Sequence, residues 1–158
     1  MRKTREVDMD DTDRALLRML QRDATLTAEA LGHHLNLSPS QAGRRRSRLE
    51  AEGLIDATVA RLNPAKLGLQ VQAFVQVQMA SHAPDAARAF LRHLDLEPRV
   101  ASVWTLTGEA DYLLRVWCPD LASLNDLVHN TLLPQPSVAR VQSQIVMDQP
   151  KRDAPLPL

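Results

Sequence analysis

The order of hydrophobic patterns predicts an α+β protein in two parts: an N-terminal three-helix, winged helix-turn-helix domain and a C-terminal ferredoxin-like βαββαβ domain. Three observations carry this expectation. Up to Gly53 the apolar residues recur at helical spacing, in short runs separated by capping and turn residues. From Leu54 the period shortens towards strict alternation. Beyond Gly68 the segments read strand, helix, strand, strand, helix, strand. The expected boundaries are residues 1–60 for the first domain, 61–69 for a linker, 70–150 for the second domain and 151–158 for a tail.

The first helix is expected from about Asp11 to Gln21. Asp10 or Asp11 serves as its cap, further acids in the first turn favour the helix dipole, and Leu16, Leu17 and Leu20 form its apolar stripe. Thr27 caps a second helix that buries Leu31 and Leu35 and ends at Asn36, a residue tolerant of the left-handed conformation. Ser38-Pro39 places a capping hydroxyl before a proline at the first helical position, starting a third helix that runs to Glu52 and stops at Gly53. The segment LIDATVARL (54–62) reads as a strand. It serves either as a tie between domains or as a wing with Arg61 at its contact. Asn63-Pro64 then gives a short helical turn closed by Gly68.

In QVQAFVQVQMA, Ala73, Val75, Val77 and Met79 share one face, and Gln72, Phe74, Gln76 and Gln78 the other. Residues 84–95 form a helix striped by Ala87, Phe90, Leu91 and Leu94. The strands RVASVWTLT and ADYLLRVWC flank Gly108-Glu109, a helix spans Leu121 to Leu133, and a last strand runs from Val138 to Met147. Right-handed crossovers put both helices on one face of such a sheet. Apolar residues at both parities, such as Trp104 beside Val103 and Leu113 beside Leu114, imply that a partner subunit covers the other face. Aromatic residues make up only 3% of the chain, so the cores are small and aliphatic, which also favours a homodimer.

Nineteen basic and nineteen acidic residues balance, so the distribution of charge matters more than its sum. Arg44, Arg45, Arg46 and Arg48 fall in a stretch without acids, whereas Asp8, Asp10, Asp11 and Asp13 crowd the start. On the third helix Gln41, Arg44, Arg45 and Arg48 share a face, with Ala42 and Leu49 on a neighbouring one. Arginine forks suit guanine edges and phosphates, and glutamine suits adenine. Ser38 and Ser40 stand at the helix N-terminus, where free amides favour a phosphate. Double-stranded DNA is therefore the expected partner, against the plainer reading of an arginine-rich solvated face.

The histidines show no metal-ligand spacing, Cys118 has no local base, and neither a phosphate-binding glycine loop nor a nucleophile elbow is present. No catalytic, metal or cofactor site is expected. The single cysteine, the charged start in place of a signal peptide and the lack of a long apolar run point to a cytoplasmic protein without a membrane anchor.

The segments MDDTDRALLRML, LGHHLNLSPSQAGRRRSRLEAEGLI, ARLNPAKLGL, LTGEADYLLRV and SVARVQSQIVM, in that order, resemble the Lrp/AsnC (feast/famine) transcriptional regulators from Met9 to Leu156. The resemblance implies DNA binding by the first domain, and assembly with amino-acid sensing by the second. It also implies dimers that can close into octamers, with the effector held beside the loop equivalent to TGEAD. In that loop Gly108 can turn the chain and Asp111 can meet an α-ammonium group. Thr107 and Ser143, the latter at the family's usual threonine position, can supply hydroxyls. Without the resemblance this is a hairpin of ordinary composition. Arg46 stands where the family has an aliphatic residue, Thr58 where it has an aromatic, and Ala110 where it has a larger residue in the effector loop. At the rim of the apolar arc, Arg46 can pack its stem while its guanidinium reaches water. An enzyme similar to the siroheme decarboxylases, which share this architecture, is the alternative. It would have no use for a capped helix with this basic face.

Overall fold

The computed structural model describes residues 8–158; the first seven residues of the expected helical domain, including most of its charged start, lie outside the described residues. The chain divides into two compact units, one built from the residues up to Arg61 with Lys151–Leu158, the other from Leu62–Pro150.

In the first unit, α1 (Asp11–Leu20), α2 (Ala28–Leu35) and α3 (Pro39–Ala51) each begin on a side-chain cap. Asp10 Oδ1 accepts from the Asp13 amide at 2.7 Å, Thr27 Oγ1 from the Ala30 amide at 3.2 Å, and Ser38 Oγ from the Gln41 amide at 3.2 Å. Between α2 and α3 the chain reverses at Asn36, left-handed at φ 55°, and the Leu37 amide donates to the Gly32 carbonyl at 2.9 Å. Gly32 permits this closure, because a Cβ there would stand 2.7 Å from the Leu37 carbonyl oxygen. The third helix ends as its glycine predicts. Gly53 adopts φ 76°, and the Gly53 and Leu54 amides cap the Glu50 and Leu49 carbonyls at 3.0 and 2.9 Å. Leu16, Leu17, Leu31, Ala42 and Leu49 form the buried core. Full burial of each leucine contributes about 1.5–3 kcal/mol.

The expected strand over 54–62 does not form. Residues 56–63 carry no regular structure, Val59 is 81% exposed, and no wing follows α3 among the described residues. A strand needs a neighbour to satisfy its amides and carbonyls, and no described strand pairs with this segment. Arg61 instead lies 3.8 Å from Asp153. The tail returns to this unit, where Gln21 brackets Leu156 and Arg18 donates to the Leu158 carbonyl. Thr58 lines an apolar cavity of about 460 Å³ with Leu20, Ile55 and Leu156.

The second unit opens with a 3₁₀ turn, Ala65–Leu67, stopped by Gly68 at φ 81°. It continues with β1 (Val71–Met79), α4 (Pro84–Asp95), β2 (Val100–Thr105), β3 (Tyr112–Cys118), α5 (Leu121–Asp126) and β4 (Val138–Ile145). The sheet order is β2-β3-β1-β4 with every neighbouring pair antiparallel, the split βαβ arrangement the pattern predicts. Ala73, Val75, Val77, Leu114 and Val116 are buried with Phe90 and Leu94 of α4, Leu124 of α5 and Leu127 just beyond it. Leu91, expected in the α4 stripe, is 37% exposed and lies at the margin of the core. After Asp126 the helix widens into a π turn, Leu127–Leu132, which brings Leu127 and Leu132, five residues apart, both into the core. None of the described helices is long and apolar enough to cross a membrane.

Candidate functional site

The basic face of α3 is present but its arginines are not equivalent. Gln41, Arg44, Arg45 and Arg48 line an open depression of about 390 Å³ together with Leu37 and one acid, Asp10. Arg44 is exposed and, among the described residues, makes no hydrogen bond or ion pair. Arg45 is committed: its Nη1 donates to Asp10 Oδ2 at 2.7 Å and to Asp13 Oδ1 at 2.8 Å. Arg48 Nη2 donates to Asp13 Oδ2. Asp13 is only 1% exposed, so one buried carboxylate of α1 joins two arginines of α3.

These bonds hold the charges in place. The hydrogen bond it donates to Asp13 raises Arg45 above the usual arginine range, and the one to Asp10 adds to it; the bond to Asp13 likewise raises Arg48. Asp10 is held below the ordinary aspartate value, first by the backbone amide of Asp13 and then by Arg45. Arg46 turns away from this face, its Nε donating to Glu50 at 2.9 Å and its Nη1 to the Leu26 carbonyl at 3.2 Å. It packs at the rim of the core, as its helical angle predicts. The polar residues at the start of α3 are partly occupied. Ser38 Oγ serves the cap, and Gln41 Oε1 accepts from the Ser38 amide at 2.9 Å, which leaves the Gln41 Nε2 donors free among the described residues. Ser40 is exposed.

In the second unit the loop from Leu106 to Asp111 joins β2 to β3, closed by a 2.9 Å bond from the Leu106 amide to the Asp111 carbonyl. Gly108 there has φ 118°, a conformation closed to most side chains. Asp111 supports the loop itself. Its amide donates to the Val77 carbonyl at 3.0 Å, its Oδ2 accepts from the Met79 amide at 2.7 Å, and its Oδ1 lies 3.6 Å from His82 Nδ1. Thr107, Gly108 and Asp111 therefore stand together, but Ser143 does not join them. It pairs with Val75 along β4 and so points to the helix-covered face. The depression beside the loop lies on the open face and is lined by Gln76, Gln78, Glu109, Ala110, Arg140 and Gln142. Apart from Ala110, sequence reasoning had not singled these out as site residues. The signal was their shared parity on neighbouring strands, since Gln76 pairs with Gln142 and Gln78 with Arg140.

A capped helix-turn-helix with a basic third helix, carried beside a separate βαββαβ unit, defines a helix-turn-helix transcriptional regulator with its own ligand-binding domain. Residues 9–50 match the AsnC-type helix-turn-helix domain and residues 72–156 the Lrp/AsnC ligand binding domain. The chain belongs to the Lrp/AsnC family of transcriptional regulators. It is 33% identical over 150 residues to the DNA-binding transcriptional activator DecR of Escherichia coli, covering 95% of this chain and 99% of that protein. It is 31% identical over 150 residues to the transcriptional regulator AzlB of Bacillus subtilis, covering 95% and 96%. Among solved structures, a transcriptional regulator of Neisseria meningitidis in complex with L-Met superposes with a TM-score of 0.90 at 35% identity, covering 95% of this chain and 97% of that one.

Proposed function

We propose that the protein binds double-stranded DNA through the exposed face of α3 and that an amino acid, or a related small molecule, modulates its assembly or its DNA binding. The single observation that carries the DNA reading is the guanidinium of Arg44, unpaired among the described residues, beside Arg45 and Arg48 on a helix of major-groove width, capped by Ser38 at its N-terminus. Ser38 and Ser40 place the first amides of α3 at a phosphate, and Gln41 offers its Nε2 donors to a base or backbone acceptor. Arg44→Ala tests this. It should weaken binding to duplex DNA and leave the helical content unchanged; unaltered affinity overturns the assignment of this face.

The effector reading rests on the loop at 107–111 and on the likeness to the regulator solved with L-Met. Asp111 meets the ammonium group through the oxygen facing His82, Gly108 and its neighbours supply amides to the carboxylate, and Thr107 lends a hydroxyl. Ser143 would act only from the far side of β4. A homodimer, in larger assemblies an octamer, covers the open sheet face, where Phe74, Leu113, Trp104 and Trp117 lie around Arg115, whose buried Nε has no partner among the described residues. A monomeric mass by light scattering at micromolar concentration refutes it. We place the protein in the cytoplasm, where its DNA is, and assign it no enzymatic step. The relatives named above are regulators, and the capped, arginine-bearing α3 favours DNA over a tetrapyrrole enzyme. Residues 61–69 act as the linker between the DNA-binding and ligand-binding functions.

A further inference from the structure

We propose that Arg45 is a phosphate-binding position on the DNA face and that Asp10 occupies it in the free protein as an internal stand-in for the phosphate, so that DNA binds by exchanging one anion for the other. The inference rests on the reading that α3 faces DNA.

The two carboxylates that hold Arg45 differ in kind. Asp13 is buried at 1% exposure, accepts from both Arg45 and Arg48, and has no route to solvent. Asp10 is 52% exposed and lies in the same open depression as Gln41, Arg44 and Arg48. Its two oxygens have separate tasks. Oδ1 caps α1 through the Asp13 amide, and among the described residues Oδ2 accepts only from Arg45, at 2.7 Å. An acid there would repel an incoming phosphate if it stayed. The cap does not depend on Oδ2, so that oxygen can release Arg45 while α1 remains capped. A phosphate oxygen offers the same charge-assisted acceptor that Oδ2 presents. Asp13 meanwhile keeps its own bond to Arg45 Nη1, so the guanidinium stays fixed through the exchange. Arg45 thus enters the complex ordered, at the cost of displacing Asp10.

Asp10→Asn separates the two tasks, because asparagine caps helices as well as aspartate does. The probe is a mixed-sequence DNA duplex, with affinity followed by fluorescence anisotropy over a range of salt. Relative to the unaltered chain, Asp10→Asn should bind about two- to fivefold more tightly at low salt, the fold-change expected for releasing an exposed ion pair. The gain should shrink as salt rises, since salt already loosens that pair. Two comparisons isolate the exchange from a general change in charge. Asp11→Asn removes the same charge one residue away from a fully exposed side chain and should give a distinctly smaller gain. In an Arg45→Ala background, Asp10→Asn should give no more than Asp11→Asn does. A gain that matches the Asp11 variant, or that survives the loss of Arg45, overturns the proposal. If instead the duplex binds every variant including Arg44→Ala alike, the DNA reading of α3 is what fails.

Discussion

Asp13→Ala removes the one buried acid among the described residues of the helical unit and with it the strut between α1 and α3. The carboxylate accepts from Arg45 at 2.8 Å, from Arg48, and from the Asp10 amide at 3.3 Å. A hydrogen bond to a charged group contributes about 1.5–3 kcal/mol, so the two arginines together would account for about 3–6 kcal/mol if both were desolvated. They are not. Their side chains are 31% and 43% exposed and regain water once released, which offsets roughly half of that loss. The expected destabilisation is therefore about 2–3 kcal/mol. With a urea dependence of about 1–3 kcal/mol per molar, the midpoint falls by roughly 0.7–3 M. Hydrogen exchange at the amides of α1 and α3 on the full chain reads the loss in the helical unit itself and is not masked by the second unit. Asp13→Asn, which keeps the shape and one acceptor oxygen, should lose about half as much. If both variants melt and exchange like the unaltered chain, the carboxylate is no strut and the account of Arg45 and Arg48 as held residues is wrong.

Gly32→Ala should destabilise the same unit by about 1–3 kcal/mol and weaken DNA binding, because a Cβ 2.7 Å from the Leu37 oxygen must push α3 away from α2; thermal melts and duplex titration check both. Asp111→Asn keeps an acceptor for the Met79 amide while removing the charge, so it should abolish amino-acid binding by calorimetry and leave basal DNA binding intact. Equal affinity in both proteins would remove Asp111 from the effector site. In the second unit, hydrogen bonds from Arg99 hold the Glu97 carboxyl below its ordinary value of 4.5, and Asn130 and then Arg99 lower Asp126. A depressed acid stabilises fully above its unfolded pKa, and that contribution disappears as pH falls through the folded one. Stability should thus drop from about pH 4.5 downwards, and Arg99→Ala should flatten that drop in urea melts at stepped pH.

Much of this architecture was legible because local chemistry and tertiary packing agree. Asp10, Thr27 and Ser38 cap where their spacing to the apolar runs implies, and Asn36 and Gly53 turn the chain where the stripes end. The alternation in β1 gives its buried face correctly, from Ala73 to Met79. What failed was what depends on a partner. The segment 54–62 has the composition of a strand, yet a strand is a pairing, and composition cannot say whether a neighbour exists. Where Ser143 stands was illegible for a related reason. Its distance from the loop at 107–111 depends on which strand flanks β1 and in what register, and no periodicity within β4 contains that.

The arginines of α3 show the same limit where function is concerned. Helical geometry assigns Gln41, Arg44, Arg45 and Arg48 to one face, and so the structure has them, but angle alone cannot separate a cation that is free from one already spent. By sequence Asp13 is a first-turn acid that suits a helix dipole, a role served from solvent. Its position three residues before Leu16 instead turns it inward, towards α3, and two guanidiniums follow it there. The balanced net charge acquires a local meaning from this. The acids at the start of the chain do not merely offset the basic helix in a sum. One of them is built into its footing, another sits in its groove, and only Arg44 is left with its full charge unspoken for among the described residues. A regulator that must leave DNA as well as find it gains from such an arrangement, because electrostatic affinity grows with each phosphate neutralised. An acid held on the binding face keeps that number below the count of arginines.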